Sequence, residues 1–144
     1  MLCEKELIVL YHLRKDSRKS YSKISSETKI PISTIHDIVK RLKSKGILYR
    51  NTSLINFDKM GFNVRIFLFL KSDNKYNLLD FLSNHKNLNS IKKISHGFDF
   101  LVEMVFRSLC DYINFKESIF DFNITKIREH HLIENIKLED ALFN

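Results

Sequence analysis

The chain has 144 residues, 44% of them hydrophobic and 28% charged, with three Gly and one Pro. That is a globular composition large enough for one domain or two small ones, and it excludes a disordered or fibrous protein. The whole net charge of +7 falls within residues 1–50, where twelve Lys/Arg face five Asp/Glu, while residues 51–144 are neutral. A basic module therefore sits beside a neutral one.

Residues 4–15 carry Leu7, Ile8, Leu10, Tyr11 and Leu13 close to the 3.6-residue helical period. Glu4 and Glu6 in the first turn and Arg14 and Lys15 in the last suit the helix dipole. Asp16-Ser17-Arg18 breaks the pattern, and Ser20 is a suitable N-cap for a short second helix, Tyr21 to about Thr28. A third helix is expected from about Pro31 or Ser33 to Lys45, with Ile35, Ile38, Val39 and Leu42 as its apolar stripe. Gly46 follows, where a left-handed residue commonly closes a helix. The face opposite the stripe carries Ser33, Asp37, Lys40 and Ser44, flanked by His36 and Arg41. Two helices across a short turn, the second basic-faced, make a helix-turn-helix pattern.

Residues 47–61 read as a linking strand and hinge, with a turn at Asp58-Lys59-Met60-Gly61. Val64–Lys71 is β-branched and aromatic, and reads as a strand buried on both faces. A helical cluster follows at Lys75–His85, then strands at Asn89–His96 and Phe98–Phe106 separated by Gly97. Ser108–Phe120 has helical spacing, and Phe122–Ile136 reads as a final strand. Strand, helix, strand, strand, helix, strand is the ferredoxin-like order: four antiparallel strands with two helices on one face. The other face is open, and a second copy of the chain is the simplest cover for it. The fold class is thus α+β, with domains at 1–50 and 62–144 joined by 51–61.

Three segments together resemble the Lrp/AsnC (feast/famine) transcription regulators. The first is Arg18-Lys19-Ser20-Tyr21, then Ile24, then Ile30-Pro31-Ile32-Ser33-Thr34-Ile35, then Lys40-Arg41-Leu42-Lys43-Ser44-Lys45-Gly46-Ile47. It is similar to the family's DNA-reading segment. The second, Asn56-Phe57-Asp58-Lys59-Met60-Gly61-Phe62, is similar to the family's hinge. The third, Gly97-Phe98-Asp99, is similar to the Gly-x-Asp between the second and third strands of its ligand-responsive domain. There are departures. Lys29 stands where Gly is usual, Pro31 where a Ser cap is common, and His96 where Thr is frequent. The usual Thr-rich last strand is here Lys126-Ile127-Arg128-Glu129-His130-His131.

The resemblance implies a winged-type helix-turn-helix that binds double-stranded DNA, and a ferredoxin-like domain that senses a small effector such as an amino acid. It also implies a homodimer, with tetramers and octamers as higher assemblies. Lys40, Arg41 and Lys43 are suited to phosphates. Ser33, Thr34, His36 and Asp37 lie near the N-terminus of the third helix, the end from which helix-turn-helix proteins read base edges, and Ser20 and Tyr21 at the start of the second helix are further DNA-binding candidates. Asp37 suits a cytosine amino group or a neighbouring Lys or Arg. A solvated helix is the plainer alternative. The basic loop Arg14, Lys15, Arg18 and Lys19 suits DNA backbone rather than bases.

His96, Gly97, Phe98 and Asp99 are the effector candidates, with Asp99 suited to an amino group. In the alternative, Gly97 only makes a tight hairpin and Asp99 only satisfies nearby amides. His130 and His131 are adjacent on a strand and point to opposite faces, so with His96 they make a poor metal site. Phe67, Phe69, Phe98, Phe100 and Phe106 are simplest as sheet core. Cys3 and Cys110 lie far apart, which argues against a disulfide scaffold or a cysteine-rich zinc site.

No nucleophile elbow, phosphate-binding glycine loop or carboxylate dyad is present, so neither catalysis nor a bound cofactor is expected. One enzymatic alternative shares the layout: the sirohaem decarboxylases, in which Lys126, Arg128 and His130 would suit propionates. A further alternative is a non-specific DNA-architectural protein. The longest apolar stretches, Ile66–Leu70 and Phe100–Val102, fall far short of the roughly 18–20 residues of a membrane span, and the N-terminus has no leader pattern. A cytoplasmic protein is expected.

Overall fold

The structure is a computed structural model, and it describes residues 2–138. The final six residues of the domain read as 62–144 lie outside the described residues. Two compact units divide between Leu54 and Ile55, and the described residues 136–138 group with the first.

In the first unit, α1 (Glu4–Lys15), α2 (Tyr21–Thr28) and α3 (Ile32–Ser44) share one small core. Val9, Ile24, Ile35 and Leu42 are fully buried in it, and Leu10, Leu13, Ile30, Ile38 and Val39 nearly so. The four residues of the expected stripe are the four buried residues of α3, as its period requires, and Ile32 at its first position is exposed. Ser20 Oγ accepts the Lys23 N–H at 3.2 Å and caps α2. Lys29 closes α2 in the left-handed region at φ 62°, a cost of order 1 kcal/mol that Gly would not incur. Gly46 takes the same region at φ 66° after α3, where the Ile47 and Leu48 N–H groups return to the Leu42 carbonyl.

The expected linking strand is corrected. Residues 47–57 belong to no strand ladder, and a 3₁₀ turn at Asp58–Met60 ends on Gly61.

The second unit is β1 (Val64–Ser72), α4 (Lys75–Ser83), β2 (Leu88–Lys93), β3 (Phe100–Phe106), α5 (Leu109–Ile119) and β4 (Ile124–His131). All strand pairs are antiparallel, in the order β2-β3-β1-β4. Alternation sends Ile66, Leu68, Leu70, Phe100, Val102, Met104 and Phe106 to one face. There they pack with Leu78 and Leu82 of α4 and Tyr112, Phe115 and Ile119 of α5.

Two strand expectations are corrected. β1 is fully buried on that face only, since Arg65, Phe67 and Phe69 on the other are half-buried and Lys71 is exposed. β4 is also shorter than expected. A 3₁₀ turn at Phe120–Phe122 and a left-handed Asn123 delay its start, and its ladder ends at His131.

On the open face, Arg65 donates to Glu103 at 2.6 Å, and both side chains are 11% exposed. Asn89 and Ser90 satisfy the second Glu103 oxygen, and Arg65 stacks on Phe57. No helix among the described residues is long and apolar enough to cross a membrane.

Ile35→Ala should destabilise the first unit by about 2–5 kcal/mol, because it leaves a cavity beneath α3 that the neighbouring helices only partly fill. Urea unfolding followed by circular dichroism reads this as a lower midpoint.

Candidate nucleic-acid interface

Helix α3 has its buried stripe on one side and leaves the other side bare. Ser33, His36, Asp37, Lys40, Arg41 and Lys43 are exposed, and Thr34 is half-buried. Pro31 at the N-cap supplies no side-chain hydrogen bond to the first amides of the helix. His36 is not isolated, for its ring meets Tyr21 edge-on at 6.2 Å. That contact brings Tyr21 of α2 beside the start of α3. Ser20 is occupied as the α2 cap.

The sequence-predicted cations divide into two kinds. Lys40 and Lys43 project from the exposed face with no ion pair among the described residues. Arg41 instead donates from Nε to Glu6 Oε1 at 2.9 Å. Glu6 lies on α1, is 5% exposed, and also accepts the Cys3 N–H at 2.8 Å through its other oxygen. One carboxylate thus satisfies the start of α1 and ties α1 to α3. The Cys3 N–H and the Arg41 guanidinium outweigh burial and hold the Glu6 carboxyl below the usual carboxylate range. Nothing in the local sequence around Glu6 signals a partner 35 residues away.

The basic loop before α2 divides in the same way. Lys19 is turned inward, its side chain 14% exposed, and pairs with Glu27 at 2.5 Å. It also lies 3.0 Å from His12 Nδ1, so a neutral His12 accepts from it. Arg18 donates its N–H to Asp16, which shapes the turn. Burial, then the Lys19 charge, pushes the His12 imidazole below its usual pKa. The Lys19 hydrogen bond leads the effects that hold Glu27 below the carboxylate range. This α1–loop–α2 cluster was not visible in the sequence. Its members stand 7 and 8 residues apart on separate elements, and no periodicity links them.

The effector candidates lie in the second unit, in the loop between β2 and β3. The Ile94 N–H donates to Asp99 O and the Asp99 N–H to Leu70 O, which closes the loop. His96 and Gly97 are consecutive left-handed residues, φ 64° and 92°, and both are exposed. Only Gly takes φ 92° without strain. Phe98 is half-buried and meets Phe69 at 5.7 Å between ring centres. The Asp99 carboxylate faces β1 and α4, accepting the Ser72 N–H at 3.1 Å and pairing with Lys75 at 2.6 Å. Burial opposes its ionisation, but the Lys75 and Ser72 contacts prevail and keep the carboxyl below its usual range. His131 faces the helices, where it meets Tyr112, whereas His130 meets Phe69. Among the described residues no three His, Cys, Asp or Glu group as metal ligands.

In comparison with known proteins, residues 4–49 match the family model described as winged helix-turn-helix DNA-binding. An uncharacterised HTH-type transcriptional regulator of Pyrococcus furiosus is 24% identical over 132 residues, 90% of this chain and 89% of that one. The structure of a Neisseria meningitidis transcriptional regulator in complex with L-Met has TM-score 0.89 at 14% identity, covering 99% of this chain and 96% of that one. Bacillus subtilis LrpC has TM-score 0.86 at 19% identity, covering 95% and 98%.

The first unit should lose stability as pH falls below about 6.5, the ordinary imidazole value. The folded state binds the His12 proton more weakly than the unfolded chain does, so protonation favours unfolding until pH passes the folded pKa. His12→Gln, which keeps an acceptor for Lys19, should flatten the change in urea midpoint between pH 7.5 and 5.5. An unchanged slope would remove His12 as its source.

Proposed function

We propose that this chain, which has the two-domain fold of the Lrp/AsnC regulators and carries a winged helix-turn-helix segment, is a sequence-specific DNA-binding transcription regulator. It acts by binding rather than by catalysis. The observation that carries this reading is helix α3: four apolar residues buried, and an uncovered opposite face bearing Lys40 and Lys43. Those two lysines meet phosphates, while Ser33, Thr34, His36 and Asp37 approach base edges in the major groove. Arg41 joins them: Glu6 holds its Nε, and the half-exposed side chain leaves its Nη groups for phosphate.

The protein works as a homodimer, built by covering the open sheet face with a second copy. Phe67, Phe69 and Leu101 on that face are only half-buried in a single chain, and apolar surface of this kind favours a cover. Two copies related by a two-fold axis present two copies of α3 to half-sites about 10 bp, or a multiple of that, apart. A small effector bound at the β2–β3 loop modulates DNA binding. The L-Met bound to the Neisseria meningitidis regulator of the same fold supports a ligand site in this architecture.

Lys40→Ala with Lys43→Ala should weaken binding to every duplex. The slope of log affinity against log salt should fall by about 0.9 for each phosphate that is no longer neutralised. Fluorescence anisotropy of labelled duplexes at several salt concentrations measures both. Unchanged affinity and slope would contradict the placement of α3 on DNA.

A further inference from the structure

The β2–β3 loop and the neighbouring end of the open sheet face form a half-open cavity of about 160 Å³, lined by Phe69, Ile94, His96, Phe98, Arg128 and His130 with Ser95. Lys126 is not part of this lining, and its Nζ stands beside Gly97 of the same loop. A cavity of that size, open to solvent on one side, suits a small ligand. Its chemistry is lopsided. Lys126 Nζ lies 4.6 Å from the centre of the Phe98 ring and Arg128 Cζ lies 5.6 Å from it. One ring therefore carries two cations. A third, Lys71, stands directly opposite Lys126 in the ladder between β1 and β4. Like charges set directly across a ladder repel.

The nearby carboxylates do not offset them. Asp99 gives one oxygen to Ser72 and the other to Lys75, and its side chain is 15% exposed. Lys71, on β1 between β3 and β4, is close enough to favour the ionised form of Asp99. Glu103 gives one oxygen to Arg65 and the other to Asn89 and Ser90. Glu129 points to the helix face, where Tyr112 and Lys116 hold it. A second copy laid on this sheet face brings the same groups again and no free carboxylate from the sheet. Among the described residues, Lys126 and Arg128 have an aromatic ring but no counter-charge.

We infer that this cavity binds a small carboxylate dianion without an ammonium group, such as a dicarboxylic or 2-oxo-dicarboxylic acid, and not a zwitterionic amino acid. The inference rests on the effector reading above and gives it a ligand class. One carboxylate of the ligand lies between Lys126 and Arg128, and its carbon skeleton lies against Phe69 and Phe98. An ammonium would meet two cations there, and the acceptor the sequence offers it, Asp99, is committed elsewhere. The aromatic floor favours a carbon-bearing anion over phosphate.

The test is isothermal titration calorimetry on the full chain with succinate, 2-oxoglutarate, glutamate, leucine and inorganic phosphate. Succinate or 2-oxoglutarate should bind, and glutamate, which has the 2-oxoglutarate skeleton with an ammonium, at least tenfold more weakly. Arg128→Gln and Lys126→Gln should each weaken the dianion tenfold or more. Both positions are exposed, and an unchanged thermal midpoint shows that each variant is folded. Glutamate or leucine binding as tightly as 2-oxoglutarate, with Arg128→Gln silent, overturns the dianion assignment but leaves an effector site standing. Phosphate binding alone overturns the carboxylate class. Binding by none of the five overturns the inference, and no DNA-affinity response to a wider amino-acid panel then removes the effector reading as well.

Discussion

A helix that buries a stripe of four apolar side chains must leave its opposite face uncovered, and the first unit is organised around that constraint. Ile35, Ile38, Val39 and Leu42 commit α3 to a core shared with Val9, Leu10, Leu13 and Ile24. The residues left outside are Ile32 and polar groups in the first half of the helix, with Lys40, Arg41 and Lys43 toward its end. Glu6 makes this arrangement definite. Buried at the start of α1, it takes Arg41 from the exposed face of α3 and fixes the helix against α1. Arg41 thereby anchors the helix through Nε while its side chain stays half exposed beside Lys40 and Lys43.

The same economy appears in the sheet. Alternation places one face of β1 and β3 under two helices and leaves the other with aromatic residues and an ion pair. Arg65 and Glu103 are nearly buried in the single chain. A pair held that far from water adds little net stability, yet breaking it is costly. With Glu103 and Asp99 both committed, the positive charges of β4 dominate the end of the sheet beside the β2–β3 loop. The two units thus concentrate cations at two places of different chemistry: a helix face suited to a long polyanion, and a cavity suited to a small one.

The elements were largely legible in the sequence because their signals are local. The 3.6-residue period of α3, the Ser20 cap, Gly46 and the alternation in β1 and β3 each depend on neighbours within one element. What the sequence did not reveal depends on distance. The Glu6–Arg41 tie, the Lys19–Glu27–His12 cluster and the Asp99–Ser72–Lys75 contacts join separate elements, so the residue types alone read as free surface charges. Residues 47–57 suggested a strand by composition, but they found no ladder partner, and β-propensity without pairing does not make a strand. The loop at His96 and Gly97 was identified by its glycine, and the alternative in which Asp99 satisfies nearby amides is met by the Ser72 N–H, whereas its Lys75 partner was not visible.

The most direct test of the central claim compares two labelled duplexes by fluorescence anisotropy across a salt series. One is the gene's own upstream region and the other a scrambled sequence of equal composition. The account predicts a steep salt dependence for both, with tighter binding to the upstream duplex throughout. No binding to either duplex at low salt would contradict it.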